Sequence, residues 1–346
     1  MSEITKNTKN TKNTQKKIIT NLIKWAVLLG LMAFGYFQYQ DFFNDALREV
    51  KVTPLKVLAA CFLLANLYFV AEGTIISKMT ATGDSKLTVW QGICCTYMCA
   101  FYRLATLGSG NGIAQVYYYS TKGIPASVGT GMSIAQYTFQ KITIGVFGVI
   151  SYFVLVAFGS DNLLKYSKYM ALGAGLITLV CVFLFVITVS KTISNFVISI
   201  GKKIIKEKSR LYPKIIQGEH AIENLQNQGR IIWRDKKLFL QVVFLNVFKF
   251  ACWYIIPGVL FYTQFDVNPF FCMALMAVCN MVGCVMIAPS GVGTLDFVFA
   301  IFFGTVITKS KAVAAALVIY RLFTWIIPFA IGLIPALFLK KTQPSE

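Results

Sequence analysis

Apolar and polar positions alternate along this chain on the scale of a lipid bilayer. Mostly apolar runs near 18–38, 55–77, 126–158, 165–190, 238–263 and 312–338 each reach the roughly 20 residues that cross a hydrocarbon layer, and they predict six full transmembrane helices. Two further apolar segments, 87–124 and 268–308, are interrupted. The first breaks at Gly108-Ser109-Gly110-Asn111-Gly112 and the second at Pro289-Ser290-Gly291-Val292-Gly293. Backbone that leaves the helix at membrane depth survives only where protein or a wet cavity satisfies it. Paired breaks in comparable places of two halves point to a transporter-like binding site. The expected fold is an all-α polytopic membrane protein: about six full spans plus two Gly-interrupted re-entrant hairpins, in an arrangement compatible with an inverted repeat. Residues 18–338 form one transmembrane domain. A polar Lys-Asn-Thr repeat over residues 1–17 reads as a disordered basic tail, and 339–346 as a second short tail.

Composition supports the pattern, and charge orients it. The hydrophobic fraction is 56% and the mean hydropathy is +0.64, which excludes an ordinary soluble enzyme. The net charge of +19 is concentrated. Lysines crowd the first 24 residues, and lysines and arginines crowd a loop expected over 190–237. In a polytopic chain such clusters mark the cytoplasmic side before they mark nucleic acid, so no nucleic-acid partner is expected. Both termini and the 190–237 loop are then cytoplasmic, the acidic stretch Asp41–Glu49 is external, and 87–124 crosses an even number of times. The 18–39 run has no small-residue cleavage site and reads as an uncleaved first span. The nine cysteines lie within apolar segments and read as small buried side chains.

Ionisable groups inside the apolar runs are few: Glu72, Arg103, Lys141, Lys249, Asp296 and Arg321. Each is costly against lipid and is expected to face a bundle interior, water or a partner. Lys141 and Asp296 have the alternative of snorkelling near a helix end, and Arg321 that of a structural partner for Glu72 or Asp296. Four cations against two carboxylates suit an anionic headgroup. Backbone N–H groups at the two breaks, around Gly110, Asn111, Gly291 and Gly293, suit one too. Gln115, Gln136, Gln140 and Asn280 add neutral donors and acceptors, with Gln136 and Gln140 one turn apart on a helix. The only histidine, His220, lies in the basic loop and makes no triad, and no Gly-Lys-Ser/Thr follows either break. No catalytic residue, metal or cofactor is expected.

Three motifs in order carry a family resemblance. Ser109-Gly110-Asn111-Gly112-Ile113-Ala114-Gln115-Val116-Tyr117-Tyr118, with Gly123-Ile124 after it, is similar to a Ser-Gly-Gly-x-Pro-x-Gln-x-Tyr-Tyr…Gly-Ile pattern. Pro289-Ser290-Gly291-Val292-Gly293-Thr294-Leu295-Asp296 is similar to Pro-Gly-Gly-x-Gly-x-x-Glu/Asp, and Tyr320-Arg321-Leu322 with Pro328 to Tyr-Arg-Leu-x-x-x-x-x-Pro. Over about residues 20–338 the chain resembles the lysylphosphatidylglycerol synthase membrane region, the flippase part of the multiple peptide resistance factor. The resemblance adds Tyr118 and Pro289 to the candidate substrate-binding residues. It implies a flippase-like translocase for anionic or aminoacylated phospholipid such as lysyl-phosphatidylglycerol, in a bacterial cytoplasmic membrane and linked to lipid metabolism and cationic peptide resistance. The implied partners are membrane phospholipids and a separate aminoacyl-lipid synthase or glycosyltransferase. Two alternatives stand beside it: phosphatidylglycerol lysyltransferase activity, for which the cytosolic aminoacyltransferase domain of full-length relatives is not found before Glu346, and a non-transporting membrane subunit of a separate synthase.

Overall fold

A computed structural model describes Arg48 and residues 51–82, 86–106, 108, 110–204, 212–285 and 293–338. The expected first span and both tails lie outside the described residues.

The described chain is helical, and its helices begin and end where local chemistry dictates. Helix α1 (Leu55–Thr80) starts behind Pro54 and runs for 26 residues, about 39 Å at 1.5 Å per residue. A capping box opens α2 (Val89–Ala105): Gln91 N–H donates to Thr88 Oγ1, and Thr88 N–H donates to Gln91 Oε1, so two otherwise orphaned donors are satisfied. After the first break come α3 (Asn111–Thr121) and, behind Pro125, the 33-residue α4 (Ala126–Phe158). A single turn, Asp161–Leu164, leads to α5 (Ser167–Val189). The second half holds α8 (Lys236–Tyr254), α9 (Ile256–Phe265), α10 (Pro269–Val285), α11 (Thr294–Gly304), α12 (Ser310–Arg321) and α13 (Ile327–Phe338). A π-helical segment, Leu322–Ile326, joins α12 to α13. Pro328 lies just beyond it and lacks the N–H that the carbonyl four residues earlier would accept, a local cause for the widened turn.

Five helical stretches are long and apolar enough to cross a membrane: Leu55–Thr80, Ala126–Phe158, Ser167–Thr188, Lys236–Tyr262 and Ser310–Phe338. These match five of the six expected spans. Large apolar side chains such as Leu172, Leu179, Val182 and Phe183 on α5 are exposed, as a lipid-facing surface requires.

Both interrupted segments are helical hairpins. Cys95, Met98 and Cys99 of α2 share one core cluster with Ala114, Tyr118 and Tyr119 of α3, so the chain folds back at the break. In the second hairpin the Cys279 thiol lies 3.9 Å from the Val298 carbonyl. A Cβ placed on Gly283 would meet the Leu295 Cα at 3.6 Å. Neither α2 nor α10, at 17 residues or about 25 Å each, matches the roughly 30 Å hydrocarbon thickness.

The segment expected as a basic loop is instead largely helical. It contains α6 (Lys191–Ile204) and α7 (Tyr212–Arg234). Leu225 and Ile232 of α7 are buried in a cluster with Ala135 of α4, Ile187 of α5 and Ile75 of α1. Gln226 donates to the Ile187 carbonyl at 2.7 Å and to Ser194 Oγ at 2.9 Å, tying α7 to α5 and α6. A sparse apolar stripe and one buried amide dock this helix despite its charge.

Candidate functional site

The first hairpin is gripped from both sides. On one face α2 crosses α1 so closely that a Cβ on Gly92 would stand 2.1 Å from the Gly73 carbonyl oxygen. On the other, a Cβ on Gly332 of α13 would stand 2.0 Å from the Tyr97 carbonyl oxygen. Small residues let these backbones touch, which is how packing substitutes for hydrophobic drive inside lipid. The crossing at Gly73 sets the depth of its neighbour Glu72.

Glu72 is buried and fully engaged. One carboxylate oxygen forms an ion pair with Lys249 of α8, whose side chain is 0% exposed. The other accepts the Gln136 amide at 2.6 Å and the Gln140 amide, both from α4. The network continues outward. Gln115 of α3 donates to Gln136 Oε1 at 2.6 Å and to the Tyr119 hydroxyl at 2.7 Å, while its own oxygen accepts Ser133 Oγ at 2.8 Å. Four helices thus meet through one polar cluster, and its members satisfy one another as buried polar groups must.

A cavity of about 320 Å³ opens beside this cluster. Glu72, Gln115, Gln136 and Gln140 form part of its wall; Arg103, Asn111 and Tyr137 form another. Arg103 occupies the last turn of α2, and its guanidinium lies 5.1 Å from the centre of the Trp325 ring in the π segment. The break itself is tied down. Gly108, at φ 99°, donates its N–H to the Arg103 carbonyl at 2.7 Å. Thr106 Oγ1 donates to the Tyr102 carbonyl and accepts the Gly110 N–H at 2.6 Å. Gly110 has an ordinary φ of −86°. Its smallness matters because a Cβ would meet Thr106 Oγ1 at 2.6 Å.

The second hairpin contributes a separate cluster. Asp296 accepts Arg321 Nε at 2.8 Å on one oxygen and the Gly293 N–H at 2.9 Å on the other. Gly293 has φ 85° and opens α11. The Arg321 guanidinium lies 4.2 Å from the Trp325 ring centre, so one indole stands against both arginines. Both Arg321 Nη atoms are buried without a hydrogen-bond partner among the described residues.

The structure therefore brings together Arg103, Asn111, Gln115, Gln136 and Gln140 on one cavity, with Gly110 preceding Asn111 at the start of α3. It sets five expected residues apart: Gly293 and Asp296, which with Arg321 form the separate cluster of the second hairpin, and Lys249 and Tyr118. Lys249 does not line the cavity; it is spent on Glu72, with the rings of Tyr68 and Phe250 within 5.5 Å and 5.0 Å of its Nζ. Tyr118 is buried in the α2–α3 core, with Lys122 over its ring. Arg321 is held by Asp296, the structural alternative weighed for it. Pro289 and Gly291 lie outside the described residues. Glu72, which organises the site, stood out in sequence only as a carboxylate in an apolar run, and Tyr137 and Ser133 carried no signal. His220 sits on α7, 3.6 Å from Glu223, and does not line the cavity.

No curated protein matches the chain. The family described as lysylphosphatidylglycerol synthase TM region matches residues 21–332, nearly all of the polytopic bundle and both broken hairpins. With that match, this multi-pass membrane protein belongs to the lysylphosphatidylglycerol synthase TM region family.

Proposed function

We propose that the chain is a flippase-like translocase that carries anionic or aminoacylated phospholipid headgroups across the bacterial cytoplasmic membrane. The observation that carries this reading is the polar cavity at the first break, walled by amides and one guanidinium among helices whose outer faces are apolar. A headgroup crossing a bilayer must exchange its water for protein hydrogen bonds, and a guanidinium suits phosphate through its planar fork. The Asp296–Arg321 pair, which joins the second hairpin to α12, adjoins the cavity through Trp325, the ring that Arg321 shares with Arg103. In this reading both termini and the α6–α7 region face the cytoplasm, which the clustering of lysines and arginines supports.

The test is reconstitution of the purified protein into liposomes carrying lipids with fluorescent headgroup labels. A membrane-impermeant quencher then separates the two leaflets. Protein-dependent loss of the protected inner-leaflet signal is expected. A signal indistinguishable from protein-free vesicles, for both anionic and aminoacylated lipids, would sink the reading.

A further inference from the structure

We propose that α6 is an interfacial helix: its outward apolar face docks on the anionic lipid surface of the leaflet at which α5 ends, and from there it braces α7 against the back of the cavity wall. The proposal concerns an outer surface of the bundle and stands whether or not the cavity moves lipid.

One residue builds the corner into α6. Ser190 ends α5 in an extended conformation, at φ −100° and ψ 111°. Its Oγ accepts the Ile193 N–H at 3.3 Å and so caps the next helix. The stretch Ser167–Thr188 is already long and apolar enough to cross the membrane, so α6 starts where the bilayer ends. At 14 residues, about 21 Å, it is too short to cross again. Its faces are divided. Ser194 is buried and Ile198, one turn on, is half-buried, so this face meets the bundle. Ile193, Phe196 and Ile200 fall together on a different face, and they are 42%, 64% and 41% exposed. Three large apolar side chains turned away from the protein, on a short helix at a membrane boundary, need a cover.

Charge names the cover. Residues 191–214 carry seven lysines and arginines against the single carboxylate of Glu207. Lys191 opens α6, and Lys202 stands near its end, where it pairs with Glu219 of α7 at 2.6 Å. Basic residues flanking an apolar helical face fit an anionic lipid surface, to which each nearby cation adds attraction. The return to the membrane has the same character. Trp233, near the end of α7, is flanked in sequence by Arg230, Arg234, Lys236 and Lys237. Its ring centre lies 5.9 Å from that of the exposed Phe185 of α5. An indole beside cations suits the headgroup level of a bilayer.

The seat of α6 bears on the cavity through α7. Gln226 donates to Ser194 Oγ and to the Ile187 carbonyl, and beside it Leu225 packs in a cluster with Ala135 of α4. The two backbones approach so closely that a Cβ on Gly131 of α4 would stand 2.8 Å from the Asn224 carbonyl oxygen. By helical spacing, Gly131 and Ala135 lie on the face of α4 opposite Ser133, Gln136 and Gln140, which line the cavity. An α6 seated on lipid therefore holds α7 against the back of that wall.

The experiment uses the purified full chain in vesicles, labelled with nitrobenzoxadiazole at Phe196→Cys on the apolar face or Asn195→Cys on the polar face. The unsubstituted chain, labelled in parallel, is the blank. Lipid carrying a nitroxide on its acyl chain quenches the probe only from within the bilayer. With about 30% phosphatidylserine or phosphatidylglycerol in phosphatidylcholine, quenching at Phe196→Cys is expected to exceed that at Asn195→Cys about threefold or more. The two anionic lipids should act alike, and pure phosphatidylcholine should weaken the quenching about twofold or more. Equal quenching at the two positions overturns the docking. So does a Phe196→Cys probe shielded from the nitroxide and from aqueous iodide alike, which would place a second polypeptide on the face. Indifference to lipid charge, or a need for one anionic headgroup alone, overturns the anionic surface as the occupant. Amide hydrogen exchange over residues 222–232 of α7 reads the brace: about threefold slower exchange is expected in anionic vesicles than in phosphatidylcholine. Phe196→Ser with Ile200→Ser should remove that difference, and exchange in the unsubstituted chain that ignores lipid charge overturns the brace.

Discussion

In the first broken hairpin a helix of 17 residues is followed by one of 11; in the second the lengths are again 17 and 11. Both fold back on themselves, and both carry a glycine with positive φ at the break, Gly108 in one and Gly293 in the other. Their polar chemistry differs. In the first hairpin Arg103 has no carboxylate partner among the described residues, and the hairpin opens onto a cavity lined by Asn111 and Gln115. The second holds Arg321 of α12 on Asp296 and uses the same carboxylate to cap α11. One backbone plan thus borders an open cavity in one half and a locked contact in the other. Sequence motifs of like spacing therefore say more about where a chain bends than about what the bend holds.

The comparison breaks most visibly at the carboxylates. Glu72→Ala strands Lys249 in a site where it is 0% exposed, and removing one partner of a buried pair costs about 3–5 kcal/mol. Asp296→Ala should cost only about 1–2 kcal/mol, because its pair is 15% and 28% exposed at the two side chains. Thermal unfolding in detergent orders the two variants, and the double variant Glu72→Gln, Lys249→Met should recover most of the first loss. A larger loss at Asp296 would reverse the roles assigned to the two hairpins.

The amides sharpen the comparison at smaller amplitude. Gln136→Leu removes a donor to Glu72 and an acceptor for Gln115, and leaving buried groups unpaired costs about 1–3 kcal/mol. Asp296→Asn keeps an acceptor for the Gly293 N–H and should lose less than Asp296→Ala, by about 1 kcal/mol, the usual value of a cap. The same unfolding measurement decides; equal losses in the two Asp296 variants would remove the capping role.

The smallest effect tests the break. Gly110→Ala pushes a methyl onto Thr106 Oγ1 and should cost about 1 kcal/mol through the lost Thr106 hydrogen bond. Gly175→Ala, where a Cβ meets nothing within 4 Å, should be neutral or slightly stabilising. Gly148 is no neutral reference, since a Cβ there meets Met281 Cβ at 2.7 Å. Equal stability of the Gly110 and Gly175 variants would show that the break tolerates crowding.

Much of the fold was legible because bilayer spans are written as uninterrupted apolar length, and the two breaks as glycine within it. The spans at Leu55–Thr80 and Ala126–Phe158 fall within a few residues of the expected ones. The α6–α7 region was not legible: its charge hid an apolar stripe at Leu225 and Ile232 that only packing against α4 and α5 reveals. The site was legible in its parts. Gln136 and Gln140 shared a face by periodicity, and Arg103 lay next to the break. Their organiser was hidden because Glu72 and Lys249 stand 177 positions apart, a pairing no local pattern carries. Nor could spacing tell which glycine at the first break takes positive φ; it is Gly108 and not Gly110.

The two close crossings at Gly73–Gly92 and Tyr97–Gly332 have a mechanical consequence. Backbones in direct touch cannot slide past each other without first separating, so α1, α2 and α13 act as one strut with no internal degree of freedom. Whatever movement the first half allows is then displaced to its joints. At the joint with α3 the Gly108 N–H donates to the Arg103 carbonyl and the Gly110 N–H to Thr106 Oγ1. Arg103, in the last turn of α2, belongs to the strut, whereas Asn111 and Gln115 belong to α3 beyond it.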